Sequence, residues 1–490
     1  MDSVNLFGPE LILLAVAGLG LLIDVAYPVG ALSPRRKLLL TGGLAVAGAG
    51  GSIAWAGALI ATDTMGDAFS GTITVDKFSL FFNFLFASTA AVVILASVDL
   101  LRRSRYAAEY CALILASAAG LMLMAAAQDL IVIFVALELT SISQYILVGL
   151  LKDRRSSEAG IKYLLLGAIS SAVILYGMTM LFGLSGSTSL EGIGDALAAS
   201  NGDNRAAYVL AAVLLAAGLG FKIAVVPFHM WVPDVYEGAP TPVTAYLSVA
   251  SKAAGFAVIL RIFLEALGDD SISSDWATMF AVIAAISMTL GNLAALAQTD
   301  IKRLLGYSSV AQAGNFLIGL AVVAASDPNT TLGASTTLFF LGTYAFTNLG
   351  AFAAVIAISE RIGSDRIEDY SGMARRSPLL ALSLTFCLLS LTGIPPTAGF
   401  MAKIYMFDAA VRADLVWLAV IGALNTVLSA YYYVRIVLYM YTRDPVEAAP
   451  LLPTPSVALA MATGSIGLLV IGVFPAPLME ASEAAAQVFA

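Results

Sequence analysis

Apolar runs of about twenty residues alternate with short polar segments from the beginning of this chain to its end. Such a run crosses a hydrocarbon core of roughly 30 Å as a helix rising about 1.5 Å per residue. The runs centre near residues 15, 49, 88, 117, 140, 171, 220, 253, 286, 313, 346, 390, 427 and 466, which predicts fourteen membrane spans. The polar segments between them are too short for a separate domain. The predicted class is therefore an all-α integral membrane protein with one polytopic domain over residues 1–490.

Charge provides an independent check on that count. Basic residues cluster at Arg35, Arg36 and Lys37; at Arg102, Arg103 and Arg105; at Lys152, Arg154 and Arg155; at Lys302 and Arg303; from Arg361 to Arg376; and at Arg443. These places follow spans 1, 3, 5, 9, 11 and 13. The intervening loops carry acids instead: Asp63 and Asp67, Asp129, Glu191 with Asp195 and Asp203, Asp269 with Asp270 and Asp275, and Asp327. The positive-inside rule then makes the odd loops cytoplasmic and puts both termini on the opposite, periplasmic face of a bacterial inner membrane. The first span lacks a basic start and holds Pro9, Glu10 and Asp24, which favours a retained helix over a cleaved signal peptide.

Two spans carry prolines beside a lysine. Span 7 reads GLGFKIAVVPFHMWVPD, with Lys222 ahead of Pro227 and Pro233, and span 12 reads LTGIPPTAGFMAKIYMF, with Pro395 and Pro396 ahead of Lys403. Proline removes a backbone donor, so both helices are expected to break where a polar cavity, not lipid, can satisfy the freed groups. The broken spans lie five apart, an odd number that reverses orientation. This predicts two inverted five-helix repeats over 106–267 and 272–442, preceded by a three-span segment at 1–105 and followed by a last span at 452–480.

Composition agrees with this reading: 60% of the 490 residues are hydrophobic and 12% charged. The two cysteines, Cys111 and Cys387, lie in apolar runs and read as small core residues. The net charge of -8 comes largely from loop acids, and nothing points to nucleic acid.

Five ionisable residues are exceptions inside the spans: Glu138, Lys162, Lys222, Lys252 and Lys403. A charge at the bilayer centre costs at least about 2.5–3.5 kcal/mol, so a proton or ion path is the default reading. Lys222, Lys252 and Lys403 have apolar sequence on both sides. Lys162 is nearer a basic loop, where a lysine that snorkels to the headgroups competes as an explanation. Glu138 has Ser141 and Tyr145 at helical spacing, which suggests a hydrated seam, although a structural ion pair with a lysine accounts for it too. His229, in the span-7 break, either relays protons or satisfies freed carbonyls. Lys77, Arg205 and Arg261 stand near span ends and read as interfacial anchors.

Buried lysine suits proton transfer because burial and a nearby carboxylate act on its proton affinity in opposite directions. Moving one proton against roughly 200 mV takes about 4.6 kcal/mol, equivalent to a pKa swing of about 3.4 units, within what burial and pairing supply. No dinucleotide fingerprint, Walker loop, haem motif or metal-ligand cluster is present, so no cofactor or metal is expected in this chain and a pump would be driven by a partner. The absence of clustered oxygen ligands favours H⁺ over Na⁺.

The strings LELTSISQY, SSEAGIKYLLLGAISS, GFKIAVVPFHMWVPDVYEGAPTPVTAYLSVASKAAGF, ALAQTDIKRLLGYSSVAQAG and LTGIPPTAGFMAKIYMF resemble the antiporter-like membrane subunits of respiratory complex I. Lys252 in SVASKAAGF and Lys403 favour the N type of NADH-quinone oxidoreductase over the L and M types. The resemblance implies proton translocation, with Glu138 and Lys222 as a switching charged pair, Lys252 as central relay, Lys403 in a second half-channel and Lys162 modulating the pair. It also implies J-, K- and M-type neighbours, with NADH, FMN, Fe–S clusters and quinone held by partner subunits. Ser143 stands where related subunits often have proline. The alternatives are an Mrp-type cation/proton antiporter subunit, a hydrogenase- or formate-linked membrane subunit, and a non-pumping structural subunit.

Overall fold

A computed structural model describes residues 3–26, 34–200, 202–325, 331–445 and 449–490. Asp327 lies outside the described residues, as do the side chains of Arg35 and Arg103. Among the described residues, thirteen helices are long and apolar enough to cross a membrane. They are α1 (Gly8–Ala26), α2 (Pro34–Ala61), α3 (Lys77–Ala96), α4 (Ala107–Ala126), α5 (Leu130–Val148), α6 (Arg154–Ser185), α7a (Arg205–Ile223), α8 (Thr241–Ala266), α9 (Asp270–Leu296), α10 (Ile301–Ala325), α11 (Leu332–Ile362), α13 (Val416–Thr442) and α14 (Pro455–Val473). The fourteenth span is two half-helices, α12a (Pro378–Thr392) and α12b (Ala398–Arg412). A short α7b (Val232–Gly238) continues span 7 beyond its break. The only strands among the described residues form a small hairpin, with Gly66–Ala68 antiparallel to Ile73–Val75.

Burial sorts the spans into a centre and a rim. In α8 and α11 94% of the most apolar window is buried within the chain, against 28% in α1 and 33% in α14. The central helices carry the polar side chains, as expected where lipid would otherwise meet them.

Local hydrogen bonds relate α4–α8 to α9–α13. Asp129 caps α5 by accepting from the amides of Ile131 at 2.8 Å and Val132 at 3.3 Å. Asp300 caps α10 in the same way, from Lys302 at 2.8 Å and Arg303 at 3.0 Å. Each cap is pinned to the loop after the next helix by two backbone bonds: Leu130 N–H to Thr188 and Leu190 N–H to Gln128 in one half, Ile301 N–H to Asp365 and Ile367 N–H to Thr299 in the other. The breaks correspond too. Ala224 and Gly393 both turn left-handed, at φ 61° and 89°. The next amides, of Val225 and Ile394, reach back to the carbonyls of Gly220 and Leu389, each at 3.0 Å, closing a Schellman motif. Five spans separate the two sets, an odd number, which is the pattern expected of inverted repeats.

Candidate functional site: a buried polar axis

The site starts on α5. Glu138 Oε1 accepts from Ser171 Oγ of α6 at 2.5 Å. One turn further on, Thr140, Ser141 and Gln144 face α7a and receive Lys222. Lys222 lies in the last turn of α7a, where backbone carbonyls left over by the break favour a cation. Its Nζ donates to Thr140 Oγ1 at 3.1 Å, Gln144 Oε1 at 3.2 Å and Ser141 Oγ at 3.3 Å. Thr140 gives its own proton to the Leu137 carbonyl, which leaves its oxygen to accept from the lysine. Three neutral acceptors thus match the three protons of an ammonium group.

The direct Glu138–Lys222 pair expected from the resemblance is not formed. Among the described residues Glu138 has no ion-pair partner, and a turn of α5 stands between the two groups. Carboxylate and ammonium are each held by hydroxyls, an arrangement in which neither charge is locked to the other.

Lys252 is next along the axis. It follows a π-helical turn, Leu247–Ser251, within α8, a local unwinding often found at functional positions. Its Nζ donates to the Ser309 carbonyl of α10 at 2.5 Å. Ser251 Oγ reaches Gln144 Oε1 at 3.0 Å, so α8 touches both the α5 cluster and α10 through adjacent residues. One turn beyond Ser309, Gln312 Nε2 donates to the Leu391 carbonyl at the end of α12a at 3.1 Å. The next carbonyl, of Thr392, accepts from Lys403 Nζ at 2.8 Å, and Thr426 Oγ1 of α13 also accepts from that lysine at 3.2 Å. Beside Lys403 a small cavity offers about 10 Å³ to water centres, near the threshold for one molecule. Lys222, Lys252 and Lys403 therefore each sit on hydroxyl, amide or carbonyl acceptors, in clusters that follow one another through neighbouring residues of α5, α8, α10 and α12a, with Glu138 one turn before the first.

Two of the six candidates stand apart. Lys162, with its side chain 41% exposed, pairs with Asp234 at 2.7 Å and Glu158 at 2.9 Å. Arg303 joins the same cluster by binding Asp234 and Glu237, each at 2.8 Å, around a polar cavity of about 260 Å³. Of the two readings left open for Lys162, its exposure fits the one nearer the basic loop: its own helix places it beside α7b and the start of α10, where two carboxylates hold it. His229 is half-buried in the span-7 break with its ring 6.5 Å from that of Tyr307. It is not among the partners of Lys222, and the freed Phe221 carbonyl accepts from Trp231 Nε1 at 3.0 Å instead.

Arg261 requires a larger correction. Instead of anchoring at an interface it is fully buried, with ion pairs to Asp76 and Glu265 at 2.6 Å each and a further bond from Nε to the Ala125 carbonyl. Its guanidinium also lies over the Phe78 ring at 4.7 Å. The sequence reading also missed Gln144, Thr140, Ser251 and Gln312. Spacing would have found one of them: Gln144 lies three residues after Ser141, a helical neighbour on α5 of a residue already singled out beside Glu138.

Residues 127–429 match the NADH:quinone oxidoreductase/Mrp antiporter membrane family. The chain is 42% identical to NADH-quinone oxidoreductase subunit N of Dehalococcoides mccartyi, covering 99% of both chains. The chain belongs to the subunit N family. It is also 41% identical to the Moorella thermoacetica member, over 100% of this chain and 99% of that one. Among solved structures, a chain of respiratory complex I from Thermus thermophilus superposes with a TM-score of 0.78 at 33% identity, covering 97% of this chain and 99% of that one. A chain of the Mrp complex from Dietzia shares the fold, with a TM-score of 0.83 at 22% identity over 99% and 96% of the two chains. The family's shared region takes in both breaks and all of the axis from Glu138 to Thr426.

Proposed function

We propose that this chain is a proton-translocating membrane-arm subunit of NADH-quinone oxidoreductase, coupling electron transfer elsewhere in the complex to proton movement through buried Lys and Glu side chains. The observation that carries this reading is the axis itself. Three lysines, each at most 5% exposed, sit in the bilayer-spanning core on neutral acceptors instead of carboxylates. Lys162, by contrast, is held by two acids, and Lys302, which closes α7b on backbone carbonyls, has Asp365 at 3.7 Å. Lysines that must gain and lose protons are better served by hydroxyls and carbonyls, which stabilise the ammonium without fixing it.

In this reading the repeats 106–267 and 272–442 each supply a half-channel, Lys252 lies at their junction, and the Glu138–Lys222 interaction switches across the intervening turn of α5. Lys162 acts on the charged cavity at the α7b end, and His229 lies beside the break as an accessory proton carrier. Both termini face the periplasm of a bacterial plasma membrane, and J-, K- and M-type subunits are the neighbours. NADH, FMN, Fe–S clusters and quinone belong to partner subunits, which supply the translocase with its redox chemistry.

The test is Lys222→Ala in the intact complex. A native gel stained for NADH dehydrogenase activity reports assembly, and proteoliposomes report proton uptake per NADH. Assembly with impaired pumping is expected. Assembly with undiminished pumping would remove Lys222 from the path.

A further inference from the structure

Gln144 is fully buried and stands where five helices meet. Its Oε1 accepts from three donors on three other helices: Lys222 Nζ of α7a at 3.2 Å, Tyr163 OH of α6 at 3.1 Å and Ser251 Oγ of α8 at 3.0 Å. Its Nε2 donates to Ser117 Oγ of α4 at 3.3 Å, and the lysine, which can only donate, holds the oxygen end of the amide towards itself. A carboxamide oxygen has two lone pairs. Three donors cannot all bond it well, and neither hydroxyl comes within the roughly 2.7–2.8 Å usual for an O–H donor.

The three competitors differ in freedom. Tyr163 is clamped by ring stacking on Trp231 at 4.6 Å and by the edge of Tyr145 at 4.9 Å. Lys222 gains or loses a donor with its proton. Ser251 ends the π-helical turn and immediately precedes Lys252, so its hold on Gln144 bears on the backbone that carries the next lysine. Among the described residues the inverted half shows no such convergence: there Asn315 donates to Gln312 Oε1 at 3.1 Å, and no lysine joins them.

We propose that Gln144 is a positioning residue that couples Lys222 to Lys252 by making Lys222 and Ser251 compete for one amide oxygen. When Lys222 holds its proton it shares that oxygen and slackens the bond to Ser251. When the proton leaves, the oxygen closes on Ser251 and draws the π-helical turn towards α5. The proton state of one lysine thereby sets the placement of the next, with no proton passing through the amide. This rests on the proton-translocation reading.

Titratable groups on the elements that carry this network include Glu138 and Tyr145 on α5, Tyr163 on α6, Tyr236 on α7b, whose ring meets Trp231, and Tyr246 and Lys252 on α8. Of these only Glu138 bears a carboxylate, and it does not touch Lys222. Gln144→Glu would put a second one in direct contact. It is expected to displace the pH profile of NADH-driven pumping towards alkaline pH by about one unit or more, because the lysine must release its proton against that charge. Gln144→Leu, similar in size without the acceptor, is expected to lower proton uptake per NADH several-fold in the assembled complex. A wild-type pH profile in Gln144→Glu overturns the proposal, whether or not Gln144→Leu assembles, because glutamate keeps both the volume and an acceptor oxygen. Lys222→Ala run alongside separates the two levels. If it impairs pumping while the Gln144 variants behave as wild type, Gln144 falls alone. If Lys222→Ala also pumps normally, the translocation reading falls.

Discussion

Arg261 and Lys222 are both cations buried in this bundle, and their surroundings are opposites. Arg261 forks between Asp76 and Glu265, with side-chain exposure of 0% for the arginine and 16% and 19% for the acids. Lys222 meets only hydroxyls and an amide. The first arrangement holds helices together, since removing one partner strands a charge in a low dielectric. Arg261→Met should therefore destabilise the detergent-solubilised protein by roughly 3–5 kcal/mol, seen as a lower Tm. Arg261→Lys should recover only part of that, because an ammonium cannot reproduce the planar fork. A Tm unchanged in Arg261→Met would show that the acids are satisfied without it. At this scale the sequence displays charges in apolar runs but not their partners. Lys222, Lys252 and Lys403 were legible because their neighbours in sequence are apolar. Arg261 was not, because a basic residue near a span end looks the same whether it faces headgroups or pairs with Glu265 on its own helix and with Asp76, brought in by the start of α3. Gln144 and Thr140 were hidden for another reason: such residues are common where membrane helices pack, and only their partners mark them as part of a site.

Among the elements, the breaks in spans 7 and 12 could be read in advance because proline cannot donate the bond a helix needs. The π-helical turns of α8 could not. Leu247–Ser251 and Ile262–Ala266 carry no proline and read as unbroken apolar helix, yet the first places Ser251 and Lys252 against different neighbours. The start of α10 shows what holds a half-helix in place. Lys302 Nζ donates to the carbonyls of Glu237 and Ala239, each at 2.8 Å, closing the C-terminus of α7b, while Asp300 caps the start of α10. Asp300→Ala frees two amides at that cap. It should cost about 0.5–2 kcal/mol in chemical unfolding, and Asp129→Ala should cost at least as much, since Asp129 also accepts from Thr188 Oγ1 at 2.6 Å. If neither variant is destabilised, the paired caps have no energetic role and the correspondence is only one of shape.

For the molecule as a whole, the inverted repeat makes a claim about sides that neither half makes alone. The loop after α6 and the loop after α11 hold corresponding caps, and five spans lie between them. Asp203 and Arg366 are both exposed in those loops, and both natural cysteines, Cys111 and Cys387, are buried. Asp203→Cys and Arg366→Cys, made singly, thus offer one reactive thiol each. With a membrane-impermeant maleimide, Arg366→Cys should label from the cytoplasmic face and Asp203→Cys from the periplasmic face, as the basic loops require. Labelling of both from one face would mean that a span between them fails to cross, and the half-channels would then open to the same compartment. Opposite labelling matters to mechanism because two half-paths that open to opposite sides and meet at Lys252 can pass a proton through the bilayer without ever being open to both sides at once.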